Sequence, residues 1–206
     1  MLLGLNAISV HESPSRRPTL MKTFFKKHGL FLVSFLVIWA GIQIWQTRSV
    51  PSGPPPAEAL STPLPLISGP SILEDQSLAQ ALVSLREKYP RRPIVIHIWA
   101  EWCGFCKLEE SSITTLASEH PVLTIAMQSG PPEKVQRHLE DRALPWTTLV
   151  DRQGQVAQAL GASGVPAFMV LDENGHLRVP TMGYTTLWGM RLRLWWAMSG
   201  FFSSSS

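Results

Sequence analysis

The hydrophobic pattern divides the chain into two parts of different character. Leu30–Trp45 is apolar on every side, with only Ser34 and Gln43 interrupting it. From residue 71 onward, short apolar runs alternate with amphipathic stretches. Short apolar runs between turn residues indicate buried strands, and apolar positions three and four apart indicate helices. The alternation predicts an α/β domain over residues 71–199, followed by a tail at 200–206.

The predicted elements alternate along this domain. A helix–strand segment in the middle separates the first two strands from a final hairpin, whose turn is Asp172–Gly175. Strands are expected at Ile94–Trp99, Val122–Met127, Thr147–Val150, Ala167–Leu171 and His176–Val179, and helices at Leu78–Tyr89, Lys107–Glu119, Pro131–Arg142, Gln155–Leu160 and Thr185–Met198. In the helix Lys107–Glu119, the side chains of Leu108, Ile113 and Leu116 are expected to point inward.

The apolar run near the N-terminus predicts an uncleaved membrane anchor over residues 29–46. As a helix, Leu30–Trp45 would be about 24 Å long, near the short end for a span. Apolar residues on every face argue against a soluble helix. The best small-x-small cleavage site, at Ala57–Ala59, lies too far downstream for a signal peptide.

Three lysines before this run set the expected orientation. Lys22, Lys26 and Lys27 would hold residues 1–28 in the cytoplasm and send the rest of the chain across the membrane. Met21 opens this basic lead-in, so it is a second candidate for the start of translation. Residues 1–20 would then not be translated.

The segment 47–70 is rich in proline and predicts a linker. Such a stretch is not expected to build a core, and as polyproline it would reach up to about 75 Å. Its prolines are Pro51, Pro54, Pro55, Pro56, Pro63, Pro65 and Pro70.

Charge is unevenly distributed along the chain. Residues 1–70 hold 6 Lys and Arg against 2 Asp and Glu, whereas residues 71–206 hold 12 against 13. The predicted domain is therefore close to neutral, which argues against a nucleic-acid partner.

The only two cysteines, Cys103 and Cys106, lie where a strand is expected to give way to a helix. The first-turn N–H groups of a helix stabilise an anion, so a thiolate is favoured there. A C-x-x-C pair in this position can form and open a disulfide without a large motion. With no third cysteine, an internal thiol relay is excluded.

Two stretches resemble the thioredoxin superfamily: Ile94–Lys107, with its W-C-x-x-C, and Gly161–Asp172, in which Val165-Pro166 precedes an apolar strand. The resemblance implies a thioredoxin-like fold, with a central mixed sheet flanked by helices. It also implies a cis Val165-Pro166 bond that faces the disulfide, with the Val165 backbone pairing with substrate. The alternative is an ordinary trans bond, the usual state of X-Pro.

The Gly-x-x-Gly-x-Pro…Asp spacing of Gly161–Asp172, the middle helix–strand segment and the N-terminal anchor resemble the TlpA-like, membrane-anchored thioredoxins. The stretch Gly183–Ala197 resembles the closing helix of suppressor-of-copper-sensitivity D proteins. These resemblances imply a periplasmic thiol-disulfide oxidoreductase in the bacterial inner membrane, with roles in copper tolerance or cytochrome c maturation. Disulfide-bearing envelope proteins would be its substrates. A transmembrane reductant of the DsbD or copper-sensitivity B type would be its donor. No cofactor or resident metal is expected.

Roles follow for individual residues. Cys103 would attack the substrate and Cys106 would resolve the mixed disulfide. Trp102, Gly104 and Phe105 would position the substrate. Gly104 and Phe105 place no cation beside the thiolate, which favours a reductase over an oxidase.

His97 stands six residues before Cys103, where the family often has a buried carboxylate. Two interpretations remain: a proton relay for the resolving cysteine, or a core histidine with its hydrogen bonds satisfied.

Three other functions remain open: a disulfide oxidase of the same fold, a carrier that binds Cu(I) through the two thiolates, and a non-catalytic membrane interaction module. The module would be built on the closing helix, through Leu187, Trp188, Leu192, Leu194, Trp195 and Trp196 with Arg191 and Arg193. Simple core packing of this helix is the alternative. Haem attachment is excluded because Lys107, and not histidine, follows the second cysteine.

Overall fold

The computed structural model describes residues 53–199 and seven positions near the N-terminus, at 31, 33–35, 37, 38 and 41. Those seven positions are helical and exposed. No helix in the described part of the chain combines the length and apolar character of a membrane span. The predicted tail 1–28, the other positions of the predicted anchor 29–46 and the tail 200–206 lie outside the described residues.

Seven strands and six helices form the fold within residues 53–199. In chain order they are α1 (Ala57–Ser61), β1 (Pro63–Ser68), β2 (Ser71–Ser77), α2 (Leu78–Lys88), β3 (Ile94–Trp99), α3 (Gly104–Glu119), β4 (Val122–Met127), α4 (Pro132–Asp141), β5 (Thr148–Asp151), α5 (Gln155–Ala159), β6 (Ala167–Leu171), β7 (Leu177–Met182) and α6 (Leu187–Met198).

The strands form one mixed sheet in the order β2-β1-β5-β4-β3-β6-β7. The β3, β4 and β5 strands are parallel, and β6 and β7 join them antiparallel as a hairpin. The helix–strand segment predicted in the middle is α4 and β5. The thioredoxin-like α/β fold with a mixed sheet is thus confirmed.

The β3 strand is buried along its whole length and separates two apolar cores. Ile94, Ile96 and Ile98 point into a core closed by α1, α2 and α5. Val95 and Trp99 point to the other face, where α3, α4 and α6 close the second core. Alternate residues of a strand face opposite sides of a sheet, so α2 and α6 cover opposite faces.

Local chemistry defines the helix starts. Ser77 and Gln80 form a capping box at α2: the Gln80 N–H donates to Ser77 Oγ (3.2 Å) and the Ser77 N–H donates to Gln80 Oε1 (2.8 Å). Pro132 occupies the first turn of α4, where a missing N–H costs nothing. Thr186 Oγ1 caps α6 by accepting from the Gly189 N–H at 3.2 Å.

Over the described residues 53–70 the predicted linker was wrong, and so was the predicted domain start at residue 71; residues 47–52 lie outside the described residues. Residues 57–68 form α1 and β1, and the Leu177 N–H donates to the Gly53 carbonyl at 2.7 Å. The prolines are tolerated because β1 pairs with β5 only at Leu66 and Ile67, which leaves Pro63 and Pro65 outside that ladder. A register shift follows Pro65 in the β1–β2 ladder. Burial of the apolar residues between the prolines outweighs the local proline signal.

Candidate active site

The two cysteines lie at the end of β3 and the beginning of α3. The Cys103 N–H donates to the Ala100 carbonyl at 3.1 Å, and Cys103 becomes the N-cap of α3. The helix starts at Gly104, three residues earlier than predicted, so Cys106 lies in its first turn. The Cys106 N–H points at Cys103 Sγ at 3.1 Å, and a disulfide joins the two residues. The first-turn amide that would stabilise a Cys103 thiolate is therefore already in position.

A cis peptide bond joins Val165 to Pro166, directly across from this disulfide. The Val165 carbonyl oxygen lies 3.7 Å from Cys103 Sγ. Pro166 is held in turn, because its carbonyl accepts from the Gly183 N–H at 2.8 Å. The structure thus brings Val165, Pro166 and both cysteines together, as the resemblance implied.

Exposed apolar side chains surround the disulfide. Trp102 is 60 % exposed and Phe105 63 %, although both are large and apolar. The Trp102 Nε1–H donates to the Gln128 carbonyl at 3.0 Å, which restrains the indole. Gly104 is exposed, and a Cβ there would meet no atom within 4 Å, so the fold itself does not require glycine. Leu108, expected to point inward, is also exposed (63 %) and extends this surface along α3.

His97 lies fully buried beneath the active-site helix. Its ring is edge-on to Trp146 at 6.1 Å, and neither ring nitrogen has a well-formed hydrogen bond to the described residues. Burial lowers the pKa of His97 to about 3, and the nearby Ala167 backbone opposes this only in part. His97 is therefore neutral at physiological pH. It is a core histidine, but its hydrogen-bonding groups are not satisfied as expected.

Glu109 is a buried carboxyl group that the sequence analysis missed. It is 1 % exposed, and one of its oxygens lies 4.0 Å from His97 Nδ1. The other accepts a hydrogen bond from the Thr185 N–H. Burial raises the pKa of Glu109 to about 7, and the Thr185 bond opposes the shift. This carboxyl group therefore changes protonation state near neutral pH.

A signal for Glu109 was present in the helix periodicity. Residues three or four apart lie on neighbouring positions of one helix face. Cys106, Glu109, Ile113 and Leu116 follow that spacing, and all four are buried. A glutamate on the buried face of a helix that begins with a reactive cysteine is a candidate for proton transfer.

Residues 59–184 match the Redoxin family, and this range covers more than half of the chain. The chain belongs to the Redoxin family. The match spans the disulfide, the cis-proline and Glu109, so the whole site lies inside it.

Relatives of this Redoxin-family chain include thiol:disulfide interchange proteins. It is 29 % identical over 123 residues to a thioredoxin-like protein of Haemophilus influenzae, covering 59 % of this chain and 73 % of that protein. It is 26 % identical over 152 residues to the thiol:disulfide interchange protein DsbE of Escherichia coli, covering 71 % and 80 %.

A solved structure of similar fold is that of a candidate DsbE from Chlorobium tepidum. The TM-score is 0.56 at 16 % identity, with 72 % of this chain and 98 % of that chain covered. Together with the Cys103–Cys106 pair, these relatives support a thiol-disulfide oxidoreductase of the thioredoxin type.

Proposed function

We propose that this protein is a membrane-tethered periplasmic reductase that opens disulfides in proteins of the bacterial envelope. The observation that carries the proposal is the Cys103–Cys106 disulfide at the start of α3, with the Val165 carbonyl 3.7 Å from Cys103 Sγ. A disulfide-bearing chain that pairs with the Val165 backbone would lie against the sulfur that must attack it.

The reaction balances as two thiol–disulfide exchanges. In the reduced protein, the Cys103 thiolate attacks one sulfur of the substrate disulfide, which forms a mixed disulfide and releases the other sulfur as a thiolate. Cys106 then loses its proton, and its thiolate attacks Cys103 Sγ. The second substrate sulfur leaves as a thiolate, and the two substrate thiolates take up one proton lost by Cys106 and one from water. The enzyme keeps the disulfide until an external dithiol supplies two electrons.

Glu109 is a better candidate than His97 to take the proton of Cys106. It lies one helical turn beyond Cys106 on the same buried face, and its pKa of about 7 suits a proton acceptor at neutral pH. His97, with a pKa of about 3, is a much weaker base. We therefore assign His97 to packing beside Glu109.

The exposed apolar side chains around the disulfide would bind the substrate. Trp102 and Phe105 offer large contact areas without a charge of their own. Such a surface suits unfolded or extended substrate segments. Gly104 and Phe105 leave the Cys103 thiolate without a neighbouring cation between the cysteines, which favours reduction of substrates over their oxidation.

Location rests on the chain's own N-terminal pattern. An apolar run at 29–46 after three lysines favours an anchor with the domain on the periplasmic side, where disulfides persist. A transmembrane reductant of the DsbD or copper-sensitivity B type would then supply electrons. The resemblance of the closing helix to suppressor-of-copper-sensitivity D proteins favours a role in copper tolerance.

Trapping of partners tests the mechanism. In the full chain, Cys106→Ser should accumulate mixed disulfides on Cys103 that are released by dithiothreitol. The matched control is the Cys103→Ser, Cys106→Ser double variant, which should trap nothing. Failure to recover any disulfide-linked protein with Cys106→Ser would contradict the exchange mechanism.

The steady-state redox state of the cysteines tests the direction. A reductase should carry mostly free thiols in growing cells, and alkylation followed by gel shift reads this directly. A mostly oxidised pair would favour the oxidase. Tight Cu(I) binding without any reduction of insulin disulfides would favour the copper carrier.

A further inference from the structure

The closing helix α6 presents an apolar face that no described residue covers. Met190 and Leu194 are buried in the core, whereas the opposite side carries large side chains that are half or more exposed. These are Trp188 (77 %), Leu192 (54 %), Trp195 (56 %) and Trp196 (50 %), and we call them the tryptophan face. Core packing alone, the alternative interpretation of this helix, explains Leu194 but not these four.

Two contacts show the direction in which α6 runs relative to the cysteines. Its first residues follow Thr185, whose N–H donates to Glu109 near the active site. Further along, Arg191 forms an ion pair with Glu119, the last residue of α3. Because α3 starts at the cysteines, α6 runs from the cysteine edge of the sheet, where β3 ends, towards the opposite edge, where β3 begins. Its 12 residues span about 18 Å.

The chain enters the domain at that same opposite edge. Gly53 is bonded to Leu177, which pairs with Leu171, and Leu171 pairs with Ile94, the first residue of β3. The active site follows the other end of β3. In addition, α6 packs against β6 and β7, the two strands nearest to Gly53 in this pairing.

The corrected domain boundary shortens the tether. Only residues 47–52 lie between the proposed anchor and Gly53. Seven Cα–Cα steps, from residue 46 to residue 53, span at most about 25 Å in any conformation. The linker predicted from sequence would have reached about three times as far. The domain must therefore stay within one domain diameter of the bilayer if the anchor is correct.

Charge at this edge suits an anionic surface. Lys88, Arg91 and Arg92 are exposed on and after the end of α2, next to the start of β3. With Arg191 they give four cations at this edge against three exposed acids, Glu87, Glu119 and Glu173. On α6, Arg191 lies over the Trp188 ring at 5.7 Å while it pairs with Glu119. Tryptophan, leucine and arginine together are typical of helices that lie in the headgroup region of a membrane.

From the exposed face, the chain length and the charge, we propose that the tryptophan face binds the surface of the lipid bilayer. The helix α6 lies along the headgroup region and holds the active site close to the bilayer surface. The proposal rests on the anchor in the proposed function, but not on the redox chemistry.

Photo-cross-linking of the full chain tests this contact. Benzophenone-alanine is introduced at Trp188 or at Trp196, and the protein is reconstituted into vesicles of phosphatidylethanolamine and phosphatidylglycerol. The matched control is Val83, which is 57 % exposed on α2, on the opposite face of the sheet. After irradiation, mass spectrometry should find lipid adducts several-fold more often at 188 and 196 than at 83. Insulin reduction by each variant confirms that it is folded.

The outcomes separate the possible failures. If the protein floats with the vesicles but positions 188 and 196 give no more lipid adducts than 83, the bilayer contact is wrong and the anchor stands. Adducts with protein in place of lipid would show a protein-binding face and would also overturn the proposal. If the full chain does not float, both the anchor and the bilayer contact fail. None of these results bears on insulin reduction, which tests the redox function separately.

Discussion

Ionisable side chains are buried at the cysteine edge of the sheet and close to solvent at the opposite edge. At the cysteine edge, His97 and Glu109 are buried, 4.0 Å apart, and their pKa values are strongly shifted. At the opposite edge, Arg191 pairs with Glu119, and Arg92 donates to the Glu119 carbonyl at 2.5 Å, close to solvent. Burial without full pairing shifts pKa values, and it brings that of Glu109 to about 7, whereas exposed pairs are screened by water. The difference indicates that the cysteine edge is built for reactivity, whereas the opposite edge carries ordinary surface ion pairs.

The largest effect should come from the cysteine edge itself. Cys103→Ser removes the attacking sulfur, so insulin reduction should fall to the uncatalysed background. Arg91→Ala, an exposed change at the opposite edge, should leave it within about twofold, because surface substitutions perturb stability little. Equal losses in both variants would remove the functional distinction between the two edges.

The next effect tests the β1 strand, which lies within the segment predicted from sequence to be a linker. Ile67 is fully buried between β2 and β5, so Ile67→Ala should lower the free energy of unfolding by about 2–5 kcal/mol. Its cross-strand partner Ile72 is 37 % exposed, and Ile72→Ala should cost about 1 kcal/mol or less. Urea denaturation measures both. A negligible effect of Ile67→Ala would mean that this segment is a linker, as predicted from sequence.

Glu109 should make stability depend on pH. Its pKa rises from 4.5 to about 7 on folding, so the folded state holds this proton more tightly. Stability is therefore lost as pH increases between these values, by up to about 3 kcal/mol. Glu109→Gln keeps an acceptor for the Thr185 N–H and should flatten this part of the curve. It should also remove a step near pH 7 from the rate at which Cys106 resolves mixed disulfides.

His97 should act in the opposite direction. Its pKa falls from 6.5 to about 3 on folding, so stability is lost as pH decreases below 6.5. His97→Leu should remove that loss and leave the resolution step near pH 7 in place. If His97→Leu abolished the step while Glu109→Gln did not, the proton acceptor would be His97.

The smallest effect is expected from the exposed pair at the opposite edge. Arg191→Gln should change the free energy of unfolding by about 0–1 kcal/mol, with less effect at high salt. The side chains of Arg191 and Glu119 are 35 % and 37 % exposed, so water screens the pair. A cost of several kcal/mol would mean that this edge is as tightly coupled as the cysteine edge.

Much of the fold was predictable because its signals are local. The β3 and β6 strands were predicted with the bounds that the structure has, since each is a continuous apolar run next to turn residues. The hairpin turn at Asp172 was predicted from its composition, and Asp172 Oδ1 does accept from the N–H groups of Asn174 and His176. The cysteines and Val165-Pro166 were recognisable because their motifs are short and contiguous.

The errors share a cause. Pro63–Ser68 looks like linker by composition, and only pairing with β2 and β5 makes it a strand. Leu108 was assigned to the core by helical spacing, yet it is exposed. In each case, distant parts of the chain decide whether a residue is buried, and local propensity cannot report that.

The sequence alone determined the chemistry of this protein: two thiols at a strand–helix junction, opposite a proline that precedes a buried strand. Such motifs carry their meaning in adjacent residues. Only the tertiary structure decided which group shares the buried space with His97, how early the domain begins, and which side of α6 remains uncovered. The physical reason is burial. The pKa of Glu109, the formation of the β1 strand and the exposure of the tryptophan face all depend on neighbours distant in sequence.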